Sequence, residues 1–294
     1  MDFLNSFIDD GTDWWDCATH TSSKKSNKEI LISLKRDIFS QYLLYERVIS
    51  LHRDNPNIPS FINDDKKKLL LDYYNSPPVM LKNKLQSRRN NNLNICPYCG
   101  DLVRPNTLDH FIPKENFSHY AIFQNNLVPQ CRKCASIKSS KYFEPSQGCF
   151  FIHPFYSDIL SRVKYKITLS FDSSINLIEV EKVELESSNL TTTDKIRVKC
   201  HFKELKVKSR IEQYCLREFK ELRRKAKHNS FPLDDWILGK LSINNDNGSD
   251  WCTAFYKSLN SCDEAKIFLN KLIEQASEKQ STLVPQNIEV FDFE

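Results

Sequence analysis

Two Cys-x-x-Cys turns separated by roughly thirty residues constrain this chain more than any other feature: "CPYCG", with Cys96 and Cys99, and "CRKC", with Cys131 and Cys134. Each turn lets two thiolates converge on one ion, and two turns at this separation predict a single tetrahedral zinc held by four sulfurs. A closed four-sulfur site keeps no position for a substrate, so the zinc is expected to be structural and the chemistry to lie elsewhere. Reading "CPYCG" as a redox dithiol is weaker, because the second pair supplies partners at zinc spacing. The other six cysteines, Cys17, Cys149, Cys200, Cys215, Cys252 and Cys262, are scattered and fit small buried hydrophobes better than a disulfide framework.

Between the pairs lies "TLDHFIPK", and "NNLVPQC" runs into the second pair. A carboxylate beside an imidazole, Asp109 and His110, suits metal-assisted phosphodiester cleavage. The carboxylate oxygen binds a hard divalent cation, magnesium or manganese, and the imidazole takes a proton from the attacking water. An isolated Asp-His pair would carry no weight; its position between two zinc turns gives it some.

In order and spacing these residues resemble the HNH nucleases, whose core is a ββα-metal unit. The shared pattern is Cys96, Cys99, Asp109, His110, Pro113, Lys114, Asn126, Leu127, Pro129, Cys131, Cys134 and Lys138. The flanks, including "FIHPFY", are similar to bacterial HNH proteins of phage-defence or mobile-element settings. The resemblance implies that Asp109 is a metal ligand, His110 the general base, and Asn126 the residue that holds the loop and orients the histidine. It also implies a second metal ligand directly after the last cysteine, asparagine or histidine. Here that residue is Ala135.

A methyl group cannot coordinate a cation, so the pattern is one protein ligand short. Either alanine was introduced to capture a substrate or partner without cleavage, or the natural protein tolerates the loss. The intact remainder of the motif favours the former. Three functions follow: a metal-dependent DNA endonuclease, RNA not being excluded as substrate; a degenerate HNH module that binds nucleic acid or a protein without cutting; or a zinc-ribbon scaffold with an accidental Asp-His pair.

Charge points the same way. Residues 81–143 carry a net +7, while the chain as a whole is +4, leaving −3 for the remainder. Such a local excess is expected of a polyanion-binding face. Lys114, Arg132, Lys133, Lys138 and Lys141 are the expected phosphate contacts, positioning a strand without reading its sequence. His119 is a weaker candidate for substrate contact, and His153, Trp14 and Trp15 are expected to pack rather than act.

The expected fold is α+β, with a zinc-stapled ββα-metal core between a helical amino-terminal region and a mixed carboxy-terminal region. The boundaries are 1–92, 93–150 and 151–294. Periodicity predicts helices over 27–51, 64–75, 79–89, 210–228 and 250–279, strands between about 163 and 202 that include "IRVKCHF", and a loose tail over the last fifteen residues. Five glycines and no GxxxxGK[ST] argue against a phosphate loop. No run of eighteen apolar residues occurs, and the start "MDFLNSFIDDGTDWWD" is acidic where a secretory signal would be basic, so a cytoplasmic protein is expected. The resemblance to HNH proteins of defence systems implies that the large flanks dock the core onto a regulatory sensor or ATPase subunit.

Overall fold

A computed structural model describes residues 1–243 and 248–281. The fold is mixed α+β, dominated by helix, with three small two-stranded sheets among the described residues. The chain forms two units. The first comprises Met1–Lys164 with Leu185–Lys208, and so contains both the expected helical region and the cysteine pairs; the second comprises Tyr165–Glu184 with Ser209–Glu294.

The first unit opens with α1 (Asp13–Thr19), α2 (Lys28–Ser33), α3 (Lys35–Tyr42), α4 (Tyr45–Ser50), α5 (Asp64–Asn75) and α6 (Val79–Arg89). The last two match their predicted ranges. Asp64 and Asp65 favour the start of α5 through the helix dipole, and Asn63 caps it by accepting the Lys66 N–H at 3.0 Å. The single helix expected over 27–51 is instead three short ones. Backbone bonding tightens from i−4 to i−3 at Leu34, onto Leu31, and again at Leu44, onto Gln41. These breaks bend the stripe around a core of Trp14, Trp15, Leu31, Leu34, Ile38, Leu70 and Tyr73, which also receives Ile122 and Leu127.

Next comes the antiparallel pair β1 (Thr107–His110) and β2 (Leu127–Gln130), in the register Asp109 opposite Val128 and His110 opposite Leu127. The connection 111–126 is long but compact, with 3-10 turns at Ser118–Tyr120 and Gln124–Asn126. Helix α7 (Arg132–Lys138) follows at once, and the short pair β3 (Phe143–Glu144) and β4 (Gly148–Cys149) closes this stretch. His153 packs as expected, buried against Phe111 and Tyr45.

Beyond it, β5 (Val163–Asp172) and β6 (Leu177–Ser187) form where strands are predicted, and they pair with each other. The third expected strand, "IRVKCHF", lies within α8 (Thr192–Glu204). Its buried residues Val198, His201 and Phe202 are spaced three and four apart, a helical rather than an alternating pattern. Thr191 begins the helix by accepting the Asp194 N–H at 3.1 Å while its hydroxyl donates to the Asp194 carboxylate at 2.8 Å, a reciprocal cap that overrides the β-branched run.

The second unit holds α9 (Val207–His228), apart from its first two residues, with α10 (Leu233–Ile243), α11 (Trp251–Asn260) and α12 (Asp263–Ser281). Ile211, Tyr214, Cys215, Phe219, Leu222 and Ala226 form its buried face, as their spacing predicts. The helix expected over 250–279 breaks at Ser261 and Cys262. The expected tail, after its first two residues, lies outside the described residues. No helix among the described residues is long and apolar enough to cross a membrane.

Candidate functional site

The first Cys-x-x-Cys turn is closed by backbone bonds from Cys99 and Gly100 to the Cys96 carbonyl, at 3.3 and 2.9 Å. Gly100 sits at φ +73°, a left-handed conformation that glycine adopts without a side-chain clash. The second turn is the start of α7, where Cys131 is the N-cap and its sulfur accepts the Cys134 N–H at 3.4 Å. The Cys131 N–H in turn points at the Cys96 sulfur, also at 3.4 Å.

Folding thus brings all four buried sulfurs within 4.8 Å of one another. Cys96 and Cys134 stand 3.9 Å apart, Cys99 and Cys131 4.0 Å. Bonds of about 2.3 Å in a tetrahedron put sulfurs about 3.8 Å apart, so the cage fits a zinc-sized ion. Burial, then hydrogen bonding with Cys131, pushes the Cys99 thiol well up, and hydrogen bonding with Cys131 raises Cys134. Cys131, which accepts from its neighbours, is lowered. Clustered thiols therefore resist ionising together unless a cation holds them. Of the other cysteines, five are buried and Cys200 is half-buried, and all are free thiols.

Asp109 and His110 follow one another on β1, so their side chains leave it on opposite sides. The Asp109 carboxylate turns to the cysteine cage and α7. Its Oδ2 accepts the buried Tyr98 hydroxyl at 3.0 Å, and Lys138 Nζ donates at 3.1 Å to Oδ1 and lies 3.0 Å from Oδ2. Burial first, and the Asp109 charge next, push the Tyr98 phenol well up, which keeps it a donor.

The His110 ring turns instead to the 111–126 connection and to α5. Its Nε2 is 2.9 Å from the Ala121 carbonyl, and its ring meets Tyr74 edge-on with centroids 4.3 Å apart. Facing an acceptor, Nε2 carries the hydrogen, which leaves the lone pair on Nδ1. Burial lowers its pKa to about 3, with the Ala121 bond opposing and Lys114 assisting, so the imidazole is neutral at physiological pH.

Asn126 fastens the connection. Its Oδ1 accepts from the Tyr45 hydroxyl and the Ile112 N–H, each at 2.8 Å, and its Nδ2 donates to the carbonyls of Ile112 at 3.0 Å and Tyr120 at 3.2 Å. Tyr120 immediately precedes the carbonyl that orients His110. Replacing Asn126 with alanine strands these buried partners and is expected to cost about 3–5 kcal/mol of stability. Urea unfolding measures it; a loss below about 1 kcal/mol would remove Asn126 from this role.

The expected phosphate contacts divide. Arg132 and Lys133 are exposed on the first turn of α7. Lys141 is exposed but paired with Glu204 at 3.0 Å. Lys114 is half-buried, paired with Glu115 at 2.5 Å and lying 5.6 Å from the Tyr74 ring centroid. Lys138 departs from its expected place on the surface: it is fully buried, with Asp109 and the His110 carbonyl taking its protons, so it presents nothing to an outside phosphate. Cys131, Cys134 and Lys138 follow one another at spacings of three and four, which mark an inward helix face; that signal was present in the sequence. His119 is buried rather than exposed, beside Phe117 and Tyr120.

The donor set for a second, catalytic cation does not fit. Residue 135 offers a methyl group, and both Asp109 oxygens are engaged by Lys138 and Tyr98. Among the described residues the four cysteines form the one group of three or more metal-ligating side chains.

No family model matches the chain. It is similar to Protein ea31 of Escherichia phage lambda, 31% identical over 116 residues; the match covers 39% of this chain and 38% of that protein, well under half the length of either. No solved structure matches.

Proposed function

We propose that the first unit carries an HNH-type ββα-metal core, stapled by a structural zinc on Cys96, Cys99, Cys131 and Cys134. Its role is to engage nucleic-acid phosphodiesters, DNA in the first instance. The reading rests on one observation above the rest: the four sulfurs hold the start of α7 beside the β1–β2 pair, whose last two residues on β1 are a buried carboxylate and a neutral imidazole. His110, with its hydrogen fixed on Nε2, has Nδ1 as the atom that would accept a proton from an attacking water. Arg132 and Lys133 would hold the strand's phosphates without reading bases.

Binding without cutting is the state favoured for this sequence, because residue 135 lacks a donor. Restoring the donor supplies the test. Ala135→Asn, combined with Lys138→Met to free the Asp109 carboxylate and supplied with manganese or magnesium, is expected to nick duplex DNA, while the parent chain binds the same duplex and leaves it intact. His110→Ala added to that pair is expected to lower the rate by about 100-fold or more. Equal nicking by the parent and the Ala135→Asn, Lys138→Met chain would mean the ligand position is wrong. Activity indifferent to His110→Ala would leave only a zinc scaffold.

A further inference from the structure

The buried lysine of α7 has more than a packing role. Lys138 lies one helical turn beyond Ala135, on the same face, and its ammonium reaches back to β1. It donates to Asp109 Oδ1 at 3.1 Å, stands 3.0 Å from Oδ2, donates to the His110 carbonyl at 3.0 Å, and lies 5.5 Å from the Phe151 ring centroid. The side chain is fully enclosed. A lysine so placed is tolerated only when its charge is paired and its protons are bonded, and both conditions are met here.

We infer that the Lys138 ammonium is the resident positive charge on Asp109 in this chain, occupying the role a divalent cation would have and closing that position to one. Three facts converge on it. The Asp109 charge is already matched by a single ammonium bridging both oxygens. Tyr98 occupies a further lone pair of Oδ2. A divalent ion on the same carboxylate would lie a few ångströms from a fully buried ammonium, where the low dielectric screens the repulsion little.

Nor does the helix offer that ion a second ligand, since the side chain one turn earlier is Ala135. The two features are complementary: the missing donor weakens cation binding, and the internal cation makes it unnecessary. The ion pair also ties the end of α7 to β1, while the sulfur cage ties its start. The inference rests on the HNH-type reading only for where a second cation would be sought; the ion pair stands without it.

The test uses the full-length, zinc-loaded chain and needs neither nucleic acid nor turnover. Manganese binding is followed by loss of the free-ion electron paramagnetic resonance signal, for the parent, Lys138→Met, Asp109→Asn and the double variant. The parent is expected to take up no manganese that depends on Asp109. Lys138→Met, which frees the carboxylate, is expected to bind it at least about tenfold more tightly and to gain thermal stability from it.

In metal-free buffer each single variant is expected to be less stable than the double variant, since each strands one buried charge. Manganese uptake by the parent that Asp109→Asn abolishes overturns the inference, as do single-variant losses that simply add in the double variant. Should Lys138→Met fail to fold, the parent's titration decides alone. Failure of the Ala135→Asn, Lys138→Met chain to nick DNA, where Lys138→Met does bind manganese, would sink the nuclease reading and leave these results unaffected.

Discussion

Stripping the metal from the four-cysteine cage is expected to collapse the centre of the first unit. The cage joins short elements: a turn at Cys96–Gly100, a four-residue strand pair and a seven-residue helix. Zinc on four thiolates contributes about 10–16 kcal/mol in small zinc-folded peptides at neutral pH, comparable with the entire stability of about 5–15 kcal/mol typical of a domain. Without the ion, the Cys99 and Cys134 thiols, pushed well up, revert to the protonated form, and the sulfurs lose what brings them together.

Elemental analysis should therefore find one zinc per chain. A strong chelator should lower the thermal midpoint by tens of degrees and open residues 93–141 to protease. Cys134→Ser should reproduce this, whereas Cys215→Ser should leave zinc content unchanged. A chelated protein that melts where the native one does would refute the structural role.

Acid is the second large lever, through histidines. His110, His119, His153 and His201 all belong to the first unit and all are buried. Burial lowers each pKa, to about 3 for His110 and His153 and about 4 for His119 and His201. An unfolded histidine titrates near 6.5. Between these values the unfolded chain binds protons that the folded chain refuses, so stability is full above about pH 6.5 and falls as the pH drops toward 4.

Each histidine contributes about 1.4 kcal/mol per pH unit in that window, and the four together roughly 8 kcal/mol by pH 5. Protonation of the zinc thiolates acts in the same direction. Urea midpoints measured from about pH 7.5 to about pH 5 should fall steeply, and His153→Gln should flatten the slope by about a quarter. A midpoint constant over that range would show that these imidazoles are not held neutral.

The sequence made some of this legible for identifiable reasons. Cysteine spacing is a direct readout of metal geometry, so the cage could be found without knowing the fold. Helix α5 carries its own cap in Asn63, α6 is announced by Pro77 and Pro78, and both matched residue by residue. What escaped was decided by contacts distant in sequence. His201, inside a run that looked like strand, is drawn into helix and bridges two remote backbones, with Nε2 on the Tyr98 carbonyl at 2.7 Å and Nδ1 accepting the Ile152 N–H at 3.1 Å. Tyr98 as a partner of Asp109 was invisible for the same reason, since a tyrosine inside a zinc turn looks like surface; the inward place of Lys138 was legible in its spacing from Cys131 and Cys134, but its carboxylate partner was not. The local excess of positive charge overstated what the surface presents, because Arg88, Arg104 and Lys138 direct their donors inward to carbonyls or a carboxylate.

Asn126 clasps the connection 111–126 near both ends, through Ile112 and Tyr120, and this decides where the segment is free to vary. Between the clasped points only Lys114, Glu115 and Asn116 reach the surface; Phe117, Ser118 and His119 are inside. Lengthening or recolouring the chain at Glu115–Asn116 would extend a bight already tied off at its neck, leaving the imidazole's support in place. A lineage, or an engineer, could thus alter the surface there while the buried bonds around His110 stay as they are.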